Sequence, residues 1–175
     1  MEQNPTNPEQ TKITITLPTN AYFMSGIRDF TLNMIKTTTN FPERWAFRFQ
    51  SVVDELCNNA IEYGSKPGSE IKITFIYSKD DYLEITVEDT GTGKNKINAK
   101  ELQKIYENKK EPGYVFSGLR GRGLVKIVGE WSDEIKFVDR SEGGLAVTVR
   151  KYLKDARQAQ PSPVNKTENT LILNQ

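Results

Sequence analysis

The chain has 175 residues, 24 basic against 23 acidic side chains and a net charge of +1, with no histidine and a single cysteine. This length suits one domain with tails, and a near-neutral balance argues against general binding to nucleic acid or anionic membranes, which rests on clustered Lys and Arg. The absence of histidine excludes Ser-His-Asp catalysis, histidine-bound zinc and a phosphohistidine relay within the chain, while the lone Cys57 excludes an intramolecular disulfide and a cysteine-cluster metal site.

Residues 1–10 are rich in Asn, Gln, Pro and Glu, and a disordered lead is expected there. No apolar signal region opens the chain and no run of about 18 apolar residues occurs in it, so a cytoplasmic protein without a membrane span is expected. Ile13, Ile15 and Leu17 alternate with Thr and Lys and predict a strand closed by Pro18. Thr19 or Asn20 can cap a helix running to Thr37, with Phe23, Ile27, Phe30, Met34 and Ile35 on its apolar stripe. A Thr-Thr-Thr-Asn run ends it. Pro42 suits a first helical turn, and Trp45, Phe49, Val52, Leu56, Ala60 and Tyr63 recur at helical spacing up to Gly64.

Two alternating runs follow, Ile71, Ile73, Phe75, Tyr77 and then Leu83, Ile85, Val87, separated by a charged turn over Ser78 to Asp81. They predict an antiparallel hairpin with one buried and one wet face. A short helix is expected from Asn98 to Glu107. The stretch from Asn108 to Gly123 has no periodicity and four glycines, and long loops of this kind are usually functional, lids among them. A helix is expected to start at Gly123, carrying Leu124, Val125, Ile127, Val128 and Trp131. Ile135 with Phe137, and Leu145, Val147 and Val149, predict a last hairpin turning at Ser141 to Gly144. The expected organisation is a domain over 11–152 and a polar, disordered tail over 153–175. Its architecture is α+β, a two-layer sandwich with a mixed, mostly antiparallel sheet and helices on one face.

Three stretches carry the candidate chemistry. Glu55 and Asn59 are four apart and project from one helix face, beside the apolar stripe; such a pair borders either solvent or a pocket. An amide oxygen at Asn59 suits a hard cation, and Glu55 suits a general base. Asp89 ends an apolar strand and is followed by Gly91 and Gly93, a pattern that is also common turn chemistry. As a site, it delivers one acceptor to a pocket floor and lets the backbone pass close to a ligand. Gly118, Arg120, Gly121, Arg122 and Gly123 open a helix, where successive backbone N–H groups make an anion site; a flexible connector is the other reading. The stretch is neither a Walker motif nor a dinucleotide fingerprint.

Taken in order, "VVDELCNNAIEYGS", "VEDTGTG", "RGRGLVKIV" and "EGGLAVTVRK" resemble the boxes of the GHKL ATP-binding superfamily, and most nearly the bacterial anti-sigma-factor serine/threonine kinases. The resemblance covers residues 11 to 152. It implies the Bergerat-type sandwich, with ATP and Mg²⁺ as cofactors. Asp89 would accept a hydrogen bond from the adenine amino group, with Gly91 and Gly93 passing the base. Asn59 would ligate Mg²⁺. Gly118, Gly121 and Gly123, with Arg120 and Arg122, would form a lid over the phosphates. Glu55 would deprotonate a Ser or Thr hydroxyl on an anti-sigma-factor antagonist. The resemblance also implies a homodimer that sequesters a sigma factor, with Arg28 near the partner contact, and no direct contact with nucleic acid or membrane.

Two positions depart from the family pattern. Lys94 stands where an apolar residue is common after the second glycine, and Leu145 where a threonine often helps hold adenine. They motivate an alternative, a non-catalytic, nucleotide-gated module that sequesters a partner. A detached histidine-kinase catalytic domain would need a separate phosphoacceptor and fits the short lid and compact ending less well.

Overall fold

The computed structural model describes residues 10–94, 97–110 and 123–158. Alternation of apolar and polar side chains makes five strands: β1 (Gln10–Pro18), β2 (Glu70–Ser78), β3 (Tyr82–Glu88), β4 (Glu134–Asp139) and β5 (Leu145–Tyr152). They form one sheet in the order β1-β2-β3-β5-β4, antiparallel at every described pairing rather than mixed. The reason is topological. β3 and β4 run the same way, but β5 turns back from β4 and inserts between them, so the chain crosses over without leaving a parallel pair.

Odd-numbered β2 and β3 residues face the helices and even-numbered ones face away, as the period of two requires. On the outer face Thr14, Thr74, Thr86 and Thr148 stand in one cross-strand row. Their hydroxyls approach at 3.3 Å (Thr14 to Thr74) and 2.9 Å (Thr86 to Thr148).

Asn20 caps the first helical segment, accepting from the Tyr22 N–H at 2.9 Å, and a 3₁₀ turn over Ala21–Phe23 leads into α1 (Met24–Thr38). α2 (Glu43–Asn59) starts after Pro42, whose fixed φ suits helix entry, and runs on as a π-helical turn over Ala60–Gly64. Phe30 of α1 reaches Phe75 of β2 with ring centroids 5.7 Å apart. Trp45, Phe49, Val52, Val53 and Leu56 are buried on the apolar stripe of α2, in one cluster with Ile71, Ile73, Phe75, Leu83 and Ile85. Burial of this kind contributes about 1.5–3 kcal/mol per large side chain, so truncating Trp45 to alanine would cost about 3–5 kcal/mol.

α3 (Ala99–Lys110) starts with a capping box: the Glu101 N–H donates to Asn98 Oδ1 at 2.9 Å and the Asn98 N–H to Glu101 Oε2 at 3.0 Å. It extends past the expected end at Glu107, so Asn108 to Lys110 belong to the helix rather than to the expected loop. A π-helical turn, Leu124–Val128, leads into a single turn α4 (Gly129–Trp131), together spanning the helix expected there.

The expected tail begins too early. Leu153–Gln158 form α5, in which Leu153 and Ala156 are buried and the Ala156 carbonyl accepts from Trp45 Nε1 at 2.9 Å and Arg44 Nη2 at 3.0 Å. The polar composition of the segment hid two contact positions spaced i, i+3. At the other end Gln10, assigned to the lead, opens β1 opposite Ser78. The rest of the expected lead and tail lies outside the described residues. Among the described residues no helix is long and apolar enough to cross a membrane.

Candidate functional site

A cavity of about 870 Å³ opens between the C-terminal half of α2, the end of β3, the β4–β5 turn and α3. Its wall includes Glu55 and Asn59 from α2, Asp89 and Gly91 after β3, and Gly143, Gly144 and Leu145 at the β4–β5 turn. Ile97, Leu102 and Ile105, in and just before α3, add an apolar side.

Asp89 is 8% exposed and almost fully committed to the protein. Its N–H donates to the Leu145 carbonyl at 2.9 Å, while Oδ1 accepts the N–H groups of Gly91 at 2.8 Å and Leu145 at 3.1 Å. Its carbonyl accepts from Arg140 Nη1. None of the described residues donates to Oδ2. Asp89 thus presents one carboxylate oxygen, held from behind by two backbone donors, on the cavity wall.

Glycines make this aim possible by close approach. A side chain at Gly64 would run into the Asp89 carboxylate, its Cβ coming 2.6 Å from the Asp89 Cβ. Gly91 and Gly144, both with left-handed φ (+63° and +85°), interlock so tightly that a Cβ on Gly144 would lie 2.5 Å from the Gly91 nitrogen. The loop is also tied to the end of the π-helical turn. Gly93 donates to the Gly64 carbonyl at 3.2 Å, Thr90 donates through its N–H to Ser65 Oγ at 3.1 Å, and the Lys66 N–H donates to Thr92 Oγ1 at 3.1 Å.

On α2, Asn59 Nδ2 donates to Glu55 Oε1 at 3.1 Å, which leaves the amide Oδ1 as the atom available to a cation. Gly123 packs onto the Glu55 carboxylate, where any Cβ would overlap it. A π-helical turn begins immediately after Asn59, and such turns are frequent at functional sites. Chemically the cavity offers a fixed acceptor at one side and an amide oxygen with a carboxylate at another.

Glu55, Asn59, Asp89 and Gly91 therefore share one cavity, with Gly93 and Gly123 in close contact with its walls. Gly118, Arg120, Gly121 and Arg122 lie outside the described residues, as does most of the expected lid. Arg28 is elsewhere, on the α1–α2 surface, where its guanidinium meets Asp54 at 2.7 Å with 42% of the side chain exposed. Of the two departures, Leu145 lines the cavity and holds Asp89 through its backbone, whereas Lys94 is exposed and does not line it. Cys57 is buried, and burial with the nearby Asp54 charge pushes its thiol up to about 12, so it is no nucleophile at neutral pH.

Sequence reasoning missed Gly64, Arg140 and the α3 wall. Gly64 stands in the sequence as a helix end, and nothing in a local pattern reports that a carboxylate will press against it. Arg140 follows an edge strand and resembles any turn residue. The α3 residues gain their role only when that helix docks.

Residues 46–155 match the family model of the histidine kinase-, DNA gyrase B- and HSP90-like ATPases. That is more than half of the chain. No curated protein matches it significantly in sequence.

Proposed function

The chain belongs to the histidine kinase-, DNA gyrase B- and HSP90-like ATPase family, and on that footing we propose that this ATP-binding domain is a protein serine/threonine kinase of the anti-sigma-factor type. Its substrate is a Ser or Thr hydroxyl on an anti-sigma-factor antagonist, and its output is control of transcription by partner switching. The observation that carries the reading is the common cavity of Glu55, Asn59 and Asp89, with Gly123 pressed against Glu55.

The residues present fit ATP and Mg²⁺. Asp89 Oδ2 has no donor from the described residues and would accept the adenine amino group, beside the room left by Gly64 and Gly91. Asn59 Oδ1 would take Mg²⁺, a hard cation that accepts an amide oxygen along with phosphates and water. The ion supplies charge neutralisation when bound. Glu55 would accept the proton of the acceptor hydroxyl, while its bond from Asn59 Nδ2 keeps the carboxylate turned to that end of the cavity. Positioning and electrostatics do most of the work in phosphoryl transfer. Gly118, Arg120, Gly121 and Arg122 would close over the phosphates. A homodimer that holds a sigma factor, with Arg28 at the contact, completes the reading.

Incubation with Mg-ATP and a candidate antagonist should yield phosphoserine or phosphothreonine. Glu55→Ala should abolish transfer while keeping nucleotide affinity; transfer at the wild-type rate would refute the base assignment. Leu145 favours a second reading. It brings an apolar side chain to the cavity where the resemblance leads one to expect a hydroxyl. Mg-ATP binding without transfer to any antagonist, with nucleotide-dependent capture of a sigma factor, would favour the nucleotide-gated, non-catalytic module.

A further inference from the structure

Among the described residues four hydrogen bonds hold Asp89, and three of the four come from main chain. The fourth comes from a side chain. Arg140 Nη1 donates both to the Asp89 carbonyl and, at 3.3 Å, to the Gly143 carbonyl. The guanidinium is itself held by Glu88, which accepts from Nε at 3.1 Å and also pairs with Lys72 Nζ at 2.7 Å. The backbone of Arg140 closes the same turn, its N–H donating to the Gly144 carbonyl at 3.0 Å and its carbonyl accepting from Gly143 at 3.1 Å. One residue thus ties the Asp89 backbone to the two left-handed glycines, while only 19% of its side chain is exposed.

We propose that Arg140 is a positioning residue that sets the aim of the Asp89 carboxylate and thereby the selectivity for the 6-amino group of a purine. The inference rests on the reading of Asp89 as the base anchor. Without Arg140 the Asp89–Gly91 segment keeps its bonds to Leu145 but loses its tie to the Gly143–Gly144 turn. The Gly91–Gly144 interlock then loosens, and Oδ2 is no longer fixed. A planar fork is required, because one guanidinium must serve Glu88 and two carbonyls together; a lysine ammonium has no such geometry.

The test compares Mg-ATP with the Mg complex of purine riboside triphosphate, which lacks the 6-amino group. Affinities of the full chain are measured by titration calorimetry for wild type, Arg140→Ala, Arg140→Lys and Asp89→Asn, with melting temperatures alongside. Arg140→Ala should lose about tenfold or more in ATP affinity, the scale of one charge-assisted hydrogen bond. It should change by less than about twofold for the analogue, whose binding never used that bond. Arg140→Lys should recover part of the ATP affinity. Equal losses for both nucleotides would mean a merely structural role and would overturn the proposal, as would no loss for either. Asp89→Asn separates the two readings. If it weakens ATP while Arg140→Ala does not, the Arg140 assignment alone fails; if it binds both nucleotides like wild type, the base-anchor reading fails and this one with it. Should Arg140→Ala not fold, Arg140→Lys and Arg140→Gln carry the same comparison.

Discussion

Replacing Gly64 with alanine should weaken Mg-ATP binding at least about tenfold while leaving the fold largely intact. Gly64 ends a helical segment with φ outside the left-handed region, so alanine meets no backbone strain there, and helix propensity favours it by up to about 1 kcal/mol. The obstacle is steric. The new Cβ would overlap the Asp89 carboxylate and sit 2.6 Å from its Cβ. Asp89 would have to rotate, breaking the bonds from the Gly91 and Leu145 N–H groups to Oδ1. Two bonds to a carboxylate contribute about 1.5–3 kcal/mol each at most. After the propensity gain, the net loss of stability is about 2–5 kcal/mol, or a drop in melting temperature of about 4–20 °C at 2–4 °C per kcal/mol for a chain this size. Binding suffers separately. With Asp89 as the proposed adenine anchor, loss of the bond to Oδ2 should lower affinity by about 10- to 150-fold. Calorimetric titration with Mg-ATP and a thermal melt read the two effects, and Gly26→Ala is the control. Gly26 is exposed in α1, and a methyl group there would meet nothing within 4 Å, so alanine should stabilise by about 0.5–1 kcal/mol and leave binding unchanged. If Gly64→Ala binds Mg-ATP within about threefold of wild type, then the carboxylate is not held where it must be to read the base.

The Cys57 thiol should resist a disulfide probe at pH 8 in the native protein and react on unfolding, because burial pushes it up to about 12. The folded state holds its proton to higher pH than the unfolded state does. Stability therefore falls between about pH 9 and 12, by up to about 1.4 kcal/mol per pH unit, and urea midpoints of wild type and Cys57→Ala should differ in slope over that window. Arg28→Ala should cost about 1 kcal/mol or less, since the pair with Asp54 is partly exposed; loss of sigma-factor capture in a variant with unchanged melting would make Arg28 a direct contact. Glu55→Gln should keep ATP affinity within about threefold while lowering phosphotransfer at least about a hundredfold, the scale of general base catalysis; single-turnover transfer measures it.

The strands and the two long helices were legible because a burial period of 2 or 3.6 survives in local sequence, as in Ile71 to Tyr77 and Trp45 to Leu56. Glu55, Asn59 and Asp89 were legible as chemistry but not as neighbours; their meeting depends on docking of α2 against the sheet, which no single stretch encodes. The π-helical turn after Asn59 was invisible because apolar spacing does not report which carbonyl each N–H reaches. α5 was missed for the opposite reason: two contacts, Leu153 and Ala156, sufficed to seat it among charged neighbours. The insertion of β5 between β3 and β4 is a non-local pairing, fixed by the energetics of the whole sheet.

That insertion has a consequence for biosynthesis. Asp89 leaves the ribosome more than fifty residues before Leu145, yet both donors that orient it through Leu145 and Arg140 belong to the later segment. A nascent chain that stops short of β5 has the motif and the strand that carries it but an unaimed carboxylate. Domains made from the N-terminus onward pass through such incomplete states, and strand pairs distant in sequence form slowly. The cavity is therefore completed only once β5 has been made, and early termination before residue 145 should leave a product that does not compete for ATP.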